Sequence, residues 1–198
     1  MDITKYAILK KLAGGGGGSG DHTVEDAIIS RTITDYTNDR VTSIGQSAFR
    51  NCNALITVDF SQATIIKDYG FDQCAALTRA KFLNVTSISI SAFGRCAKLT
   101  TADFSHLTSM SSYVFAYCSA LSALILRGNT VCGLGHVNSL DSTPIKSGTG
   151  YIYVPSALVD SYKTATNWTT YANQFRALES YTVDGTTTGE LDPTKVNA

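Results

Sequence analysis

The feature that most restricts this chain is a spacing. "SAFRNCNALITVDF" at residues 47–60 returns as "YGFDQCAALTRAKF" at 69–82, "SAFGRCAKLTTADF" at 91–104 and "YVFAYCSALSALIL" at 113–126. Phenylalanine alone recurs every eleven residues, at 49, 60, 71, 82, 93, 104 and 115. An eleven-residue apolar period by itself would suit a helical supercoil. The other columns exclude that: Cys52, Cys74, Cys96 and Cys118, Leu55, Leu77, Leu99 and Leu121, and Ile44, Ile66, Ile88 and Met110 recur only every 22 residues. The unit is therefore 22 residues long and holds two different phenylalanine sites.

Within a unit, "LITVDF" alternates Val58 and Phe60 with Thr57, Asp59 and Ser61, the period-two pattern of a half-buried strand. The preceding "TSIGQSAFRNC" has apolar residues at 44, 48, 49 and 52, which fits about one turn of α- or 3₁₀-helix packed inward. Such a unit cannot bury its own apolar side. Stacking gives each strand a parallel partner at ~4.8 Å and joins the units into one core. The expected fold is an α/β repeat, a short right-handed leucine-rich-repeat solenoid. Its parallel sheet would lie on the concave face, with a cap at each end.

The period also divides the chain. Subtracting 22 from Leu55 and Val58 gives Ile33 and Tyr36, a first strand in an N-terminal cap over 22–40. Four repeats follow over 41–127. Adding 22 to Met110 and Val114 gives Cys132 and His136, where the pattern fades. A stacked array exposes an apolar end, so 128–178 is expected to cap it with a short strand and helical pieces carrying Leu158, Tyr162, Trp168, Tyr171 and Phe175. The polar segment 179–198 has a hairpin signal at Asp184-Gly185. Residues 1–13 can place Ile3, Tyr6 and Leu9 on one side of a helix, either an anchor docking into a larger assembly or a disordered tail. The glycine-rich 14–21 is a tether with a reach of roughly 15 Å. It lacks the Gly-Lys-Ser/Thr ending of a phosphate cradle.

Composition narrows the function. Sixteen basic and sixteen acidic residues cancel, so no net field recruits nucleic acid or an anionic membrane surface. The longest apolar runs fall far short of the ~20 residues of a membrane helix. The N-terminus lacks a signal-peptide core, so export by that route is not expected. His22, His106 and His136 are scattered, and Cys132 with His136 supplies only two ligands for a metal that wants four. No catalytic group and no cofactor is expected. Neighbouring cysteines of the column would have Cα atoms about 5 Å apart, within disulfide reach. In-register side chains point in parallel, however, so Cys52, Cys74, Cys96 and Cys118 are expected to be buried thiols.

Side chains pointing away from the core form the candidate binding surface: Thr57, Asp59 and Ser61; Arg79, Lys81 and Leu83; Thr101, Asp103 and Ser105; Ala123, Ile125 and Arg127. The Asp59, Lys81, Asp103 column reads equally as charge alternation between strands and as a partner-binding face. Leu83 and Ile125 are expected to be exposed there. A second candidate is the aromatic last quarter, Tyr151, Tyr153, Tyr162, Trp168, Tyr171, Phe175 and Tyr181. Most of these should be cap core, and any left exposed could stack on sugar rings.

The unit "IGxxAFxxCxxLxxVxF" over 41–127 resembles the BspA-type (treponemal-type) leucine-rich repeats of bacterial surface proteins. The flanks "RTITDY" and "YIYVPSALVDSYKTATNW" look like members encoded by phages and prophages of Firmicutes, often beside tail genes. The resemblance implies a non-enzymatic virion protein of the tail or baseplate, made in the host cytoplasm. It would hold other virion proteins through its N-terminal segment and a bacterial surface glycan or protein through its solenoid, and could form a homo-oligomer. The alternatives are a purely architectural virion protein and an adhesin on the bacterial cell surface.

Overall fold

Residues 34–178, with the backbone of 23–24, are described by a computed structural model. The expected anchor residues Ile3, Tyr6 and Leu9, the glycine tether and the Asp184-Gly185 hairpin lie outside the described residues. Among the described residues, thirteen strands run in chain order: β1 (Thr23–Val24), β2 (Asp35–Thr37), β3 (Ser43–Ile44), β4 (Thr57–Asp59), β5 (Ile65–Ile66), β6 (Arg79–Phe82), β7 (Ser87–Ile88), β8 (Thr101–Phe104), β9 (Ser109–Met110), β10 (Ala123–Leu126), β11 (Gly133–Leu134), β12 (Tyr151–Pro155) and β13 (Phe175–Leu178). All of these pairings are parallel, and the strands alternate between two sheets up to β12, which β13 joins in the same sheet. The long sheet has the order β13-β12-β10-β8-β6-β4-β2, and the short sheet β1-β3-β5-β7-β9-β11. The α/β solenoid expected from the period is thus present, with a second sheet that the sequence pattern did not reveal.

Register follows the period. Tyr36 pairs with Val58, Val58 with Ala80, and Phe82 with Phe104. Phe49, Phe71, Phe93 and Phe115 stack face to face with centroids 4.9, 5.2 and 5.3 Å apart. Phe60, Phe82 and Phe104 form a second stack at 6.1 and 6.3 Å. The two stacks meet edge-on or tilted, for example Phe49 with Phe60 at 5.4 Å. Offset and edge contacts of this kind add to area burial, which is why one residue type fills two columns. A hydroxyl column locks the connectors on the other edge, where Thr64, Thr86 and Thr108 each donate to the carbonyl 22 residues earlier, at 3.1, 3.2 and 2.9 Å.

The segment expected to be a turn of helix is not one. In each repeat it is a wide turn in which alternate amides point two ways. Ser47, Phe49 and Asn51 donate to Asp68, Gly70 and Asp72 of the next repeat, while Ala48, Arg50 and Cys52 donate three residues back. That alternation requires left-handed backbone twice per repeat. It occurs at Ser47, Tyr69, Ser91 and Tyr113 and again at Asn51, Gln73, Arg95 and Tyr117, with φ between 53° and 64°. Left-handed backbone costs a non-glycine residue about 1–2 kcal/mol, and the ladder to the next repeat offsets it.

The array ends differently from the extrapolated pattern. The connector after β10 is two residues longer than the one after β8, so Leu134 rather than Cys132 pairs with Met110. The chain then passes through a 3₁₀ turn (Val137–Leu140) and a short helix (Pro144–Ser147) into β12. A 3₁₀ turn (Ser156–Leu158), a helix (Val159–Thr164) and a 3₁₀ stretch (Thr169–Gln174) lead to β13. Phe175, expected in a helical piece, opens β13 instead. Tyr162, Trp168, Tyr171 and Phe175 are buried and pack against one another with ring centroids 5.2 to 6.1 Å apart.

Candidate functional site

The cysteine column is structural. Cys74, Cys96 and Cys118 are buried, and each Sγ donates to the carbonyl of the phenylalanine 25 residues earlier, at 3.0, 3.2 and 3.0 Å. All five cysteines are thiols. Burial pushes the Cys74 and Cys96 thiols well above their ordinary range, and Cys132 up to about 12. A thiol reacts as its thiolate, so native protein should resist iodoacetamide near neutral pH. Denatured without reductant, it should take up five labels by mass. A mass short by two labels would mean a disulfide within the column.

Cys132 and His136 are likewise occupied. The Cys132 N–H donates to Tyr162 Oη at 2.9 Å, and its carbonyl accepts from Trp168 Nε1 at 2.7 Å. His136 caps the 3₁₀ turn by accepting from Asn138 N at 3.2 Å and stacks on Tyr113. Among the described residues, no three His, Cys, Asp or Glu side chains are grouped to hold a metal.

The outward face of the long sheet carries the residues singled out from sequence. Arg79 and Lys81 are exposed, and Thr57, Asp59, Ser61, Thr101, Asp103 and Ser105 are half-buried. Its charges pair between neighbouring strands. Lys81 Nζ reaches Asp59 Oδ2 at 3.2 Å, and Arg127 holds both oxygens of Asp103 at 2.8 and 2.7 Å. Leu83 is 43% exposed, as expected. Ile125 is a correction: it is 1% exposed, and Ala123 is buried with it. The cause is β12, which sets Tyr151 beside Ala123 and Tyr153 beside Ile125. These residues close a small apolar cluster with Leu178. Nor do the last-quarter aromatics present a stacking surface. Tyr153, Tyr162, Trp168, Tyr171 and Phe175 are buried, and half-buried Tyr151 lies under Arg176, whose guanidinium is 4.2 Å from the ring. Tyr181 is outside the described residues.

The edge formed by the wide turns holds what those readings missed. Tyr113 and Tyr117 are 42% and 54% exposed. Arg95 lies over the Tyr117 ring at 5.4 Å and Arg50 over Tyr69 at 5.0 Å. Both guanidiniums converge on the buried carboxylate of Asp72, Arg50 Nε at 3.0 Å and Arg95 Nη1 at 3.3 Å, joined by Gln73 Nε2 at 3.2 Å. Asn138 Nδ2 donates to Tyr113 Oη at 3.2 Å. A signal was available in the sequence: Tyr69, Tyr113 and Tyr117 fall off the phenylalanine phase, in columns otherwise filled by Ser, Asn, Gln and Arg.

No helix among the described residues is long and apolar enough to cross a membrane. Residues 30–131 match the family described as BspA type leucine rich repeat region, in six copies. Among solved structures, a leucine rich repeat protein of T. pallidum aligns at TM-score 0.55 and 20% identity, covering 64% of this chain and 60% of that one. A leucine-rich repeat protein from Bacteroides ovatus aligns at TM-score 0.54 and 22% identity, covering 73% and 36%. The chain thus spans less than two thirds of either structure's length, and at these identities the likeness is one of fold. No curated protein matches the sequence.

Proposed function

The chain belongs to the BspA-type leucine-rich-repeat family, and from that premise we propose that it is a non-enzymatic recognition module. The observation that carries this is the division of labour in the repeat. Columns at 49, 52, 55, 58 and 60 are spent on packing, while the long-sheet face and the wide-turn edge hold Leu83 and Tyr117 in solvent on a rigid, in-register lattice. Solenoids bind partners through such extended outer surfaces.

More specifically, the module serves a phage tail or baseplate and adheres to a bacterial surface. The support is the resemblance of "RTITDY" and "YIYVPSALVDSYKTATNW" to phage-encoded members of the family. Fluorescently labelled full-length protein should decorate cells of a subset of a Firmicutes panel, and antibody-gold should mark the tail tip of particles from the producing strain. Binding to no strain would overturn the adhesin. A position sealed between other subunits would turn the reading to architecture, and label on the producing cell's own envelope would turn it to a bacterial adhesin.

A further inference from the structure

We propose that the wide-turn edge is a binding site for an acidic saccharide, with Arg50 and Arg95 holding one of its anionic groups and Tyr117 its ring face; the proposal rests on the recognition reading above. The site is built rather than incidental. Asp72 has no exposed side-chain surface, yet its two cationic partners are 43% and 56% exposed. Burying a carboxylate is expensive, and here the pairing fixes two surface guanidiniums instead of sealing a core.

The room for that carboxylate is cut into the next repeat. The column through residue 72 reads Arg50, Asp72, Gly94, Ala116. A Cβ at position 94 would stand 2.8 Å from Asp72 Oδ1. The Gly94 backbone is not left-handed, so the turn itself does not demand glycine and the carboxylate does.

The chemistry of the edge selects the ligand. Each guanidinium is braced on one side by Asp72 and on its face by a tyrosine, and both arginine side chains stay about half exposed. A planar, oriented fork suits carboxylate or phosphate oxygens. The two arginines come from repeats on either side of Asp72, but their guanidiniums meet on its one carboxylate, so they form a single cationic site that suits one anionic group of a saccharide. Beside Arg95, Tyr117 offers an exposed phenol, and Tyr113 on the same turn meets Asn138 and His136 of the next, grouping a ring, an amide and an imidazole. Apolar ring faces edged by hydrogen-bonding groups match a sugar, which has C–H faces and a hydroxyl rim.

The test uses the full chain and three immobilised polymers: polygalacturonate for carboxylates, phosphorylated dextran for phosphates, and dextran as the neutral control. Retention on at least one anionic polymer, weakened by salt, and little on dextran is expected. The polymer that binds identifies the anion. Tyr117→Ala and Arg95→Gln should each weaken binding about tenfold, whereas Lys163→Gln, which removes the same charge from the cap, should not. Gly94→Ala should also weaken it while the circular dichroism spectrum stays that of the parent, because the added methyl displaces Asp72 and not the ligand. Equal retention on dextran, no retention on either anionic polymer, or indifference to Tyr117→Ala and Arg95→Gln would overturn the site. If cells are still bound and protease treatment of those cells abolishes binding, the recognition reading survives and the saccharide does not. If no cells are bound at all, the recognition reading fails first.

Discussion

Phe71→Ala should destabilise the protein by about 3–5 kcal/mol, a large part of the ~5–15 kcal/mol that holds an ordinary domain together. Phe71 is fully buried and meets four other rings: Phe49 at 4.9 Å, Phe93 at 5.2 Å, Phe82 at 5.7 Å and Phe60 at 6.1 Å. Truncation removes both stacking partners of its own column and the contacts that join the two columns. Neighbouring rings cannot close the gap, because each is held by its own repeat's ladder to the next. Phe71→Leu, which keeps most of the volume, should cost clearly less. Urea unfolding followed by circular dichroism gives the loss directly. Trp168, the only tryptophan, reports the far cap by fluorescence, and the two transitions should coincide if the solenoid unfolds as one unit. A loss below about 1 kcal/mol would mean the site collapses freely and the stack is not the spine of the core.

Trp168→Ala should be comparably damaging, by a different route. The ring is fully buried against Tyr162, Tyr171 and Phe175, and its N–H satisfies the Cys132 carbonyl at 2.7 Å. Together with Tyr162 Oη on the Cys132 N–H, it clasps both backbone polar groups of one residue in the last turn of the short sheet. Losing the ring costs about 3–5 kcal/mol, and the orphaned carbonyl adds about 1–3 kcal/mol. Trp168→Phe should show mainly the second part. Each repeat contacts only its neighbours, so hydrogen exchange should rise first at Cys132 and Leu134, with the β2 end least affected. Uniform acceleration from Tyr36 to Phe175 would show that the cap is no separate seal.

The sequence showed the core because four near-copies display which positions never change character. Phe49, Cys52, Leu55, Val58 and Phe60 and their counterparts could be assigned inward before any coordinate was known, and all are buried except Ala80, which is half-buried. The wide turn could not be read in the same way. Its left-handed positions include Tyr69, Gln73, Arg95 and Tyr117, residue types without preference for that backbone, and the bonds that impose it run to the next repeat. The short sheet uses two residues per strand, too few for a periodic signal. Ile125 followed the outward phase of its strand correctly. Its burial comes from Tyr153, contributed by a cap strand 28 residues on, and no period relates the two. The arginine and tyrosine edge was hidden by the dominance of the phenylalanine columns, against which stray tyrosines read as variation.

If the columns hold the solenoid and its outer surfaces do the recognising, interior and exterior substitutions will separate in the affinity of folded protein for a bound host strain. Ile88→Val, at a site 1% exposed, should lower the urea midpoint by about 1 kcal/mol in stability and leave affinity within about twofold. Tyr117→Ala on the turn edge or Leu83→Ala on the sheet face should leave the midpoint nearly unchanged, and at least one should reduce affinity about tenfold. Affinity that falls with Ile88→Val and with neither surface variant would contradict the account.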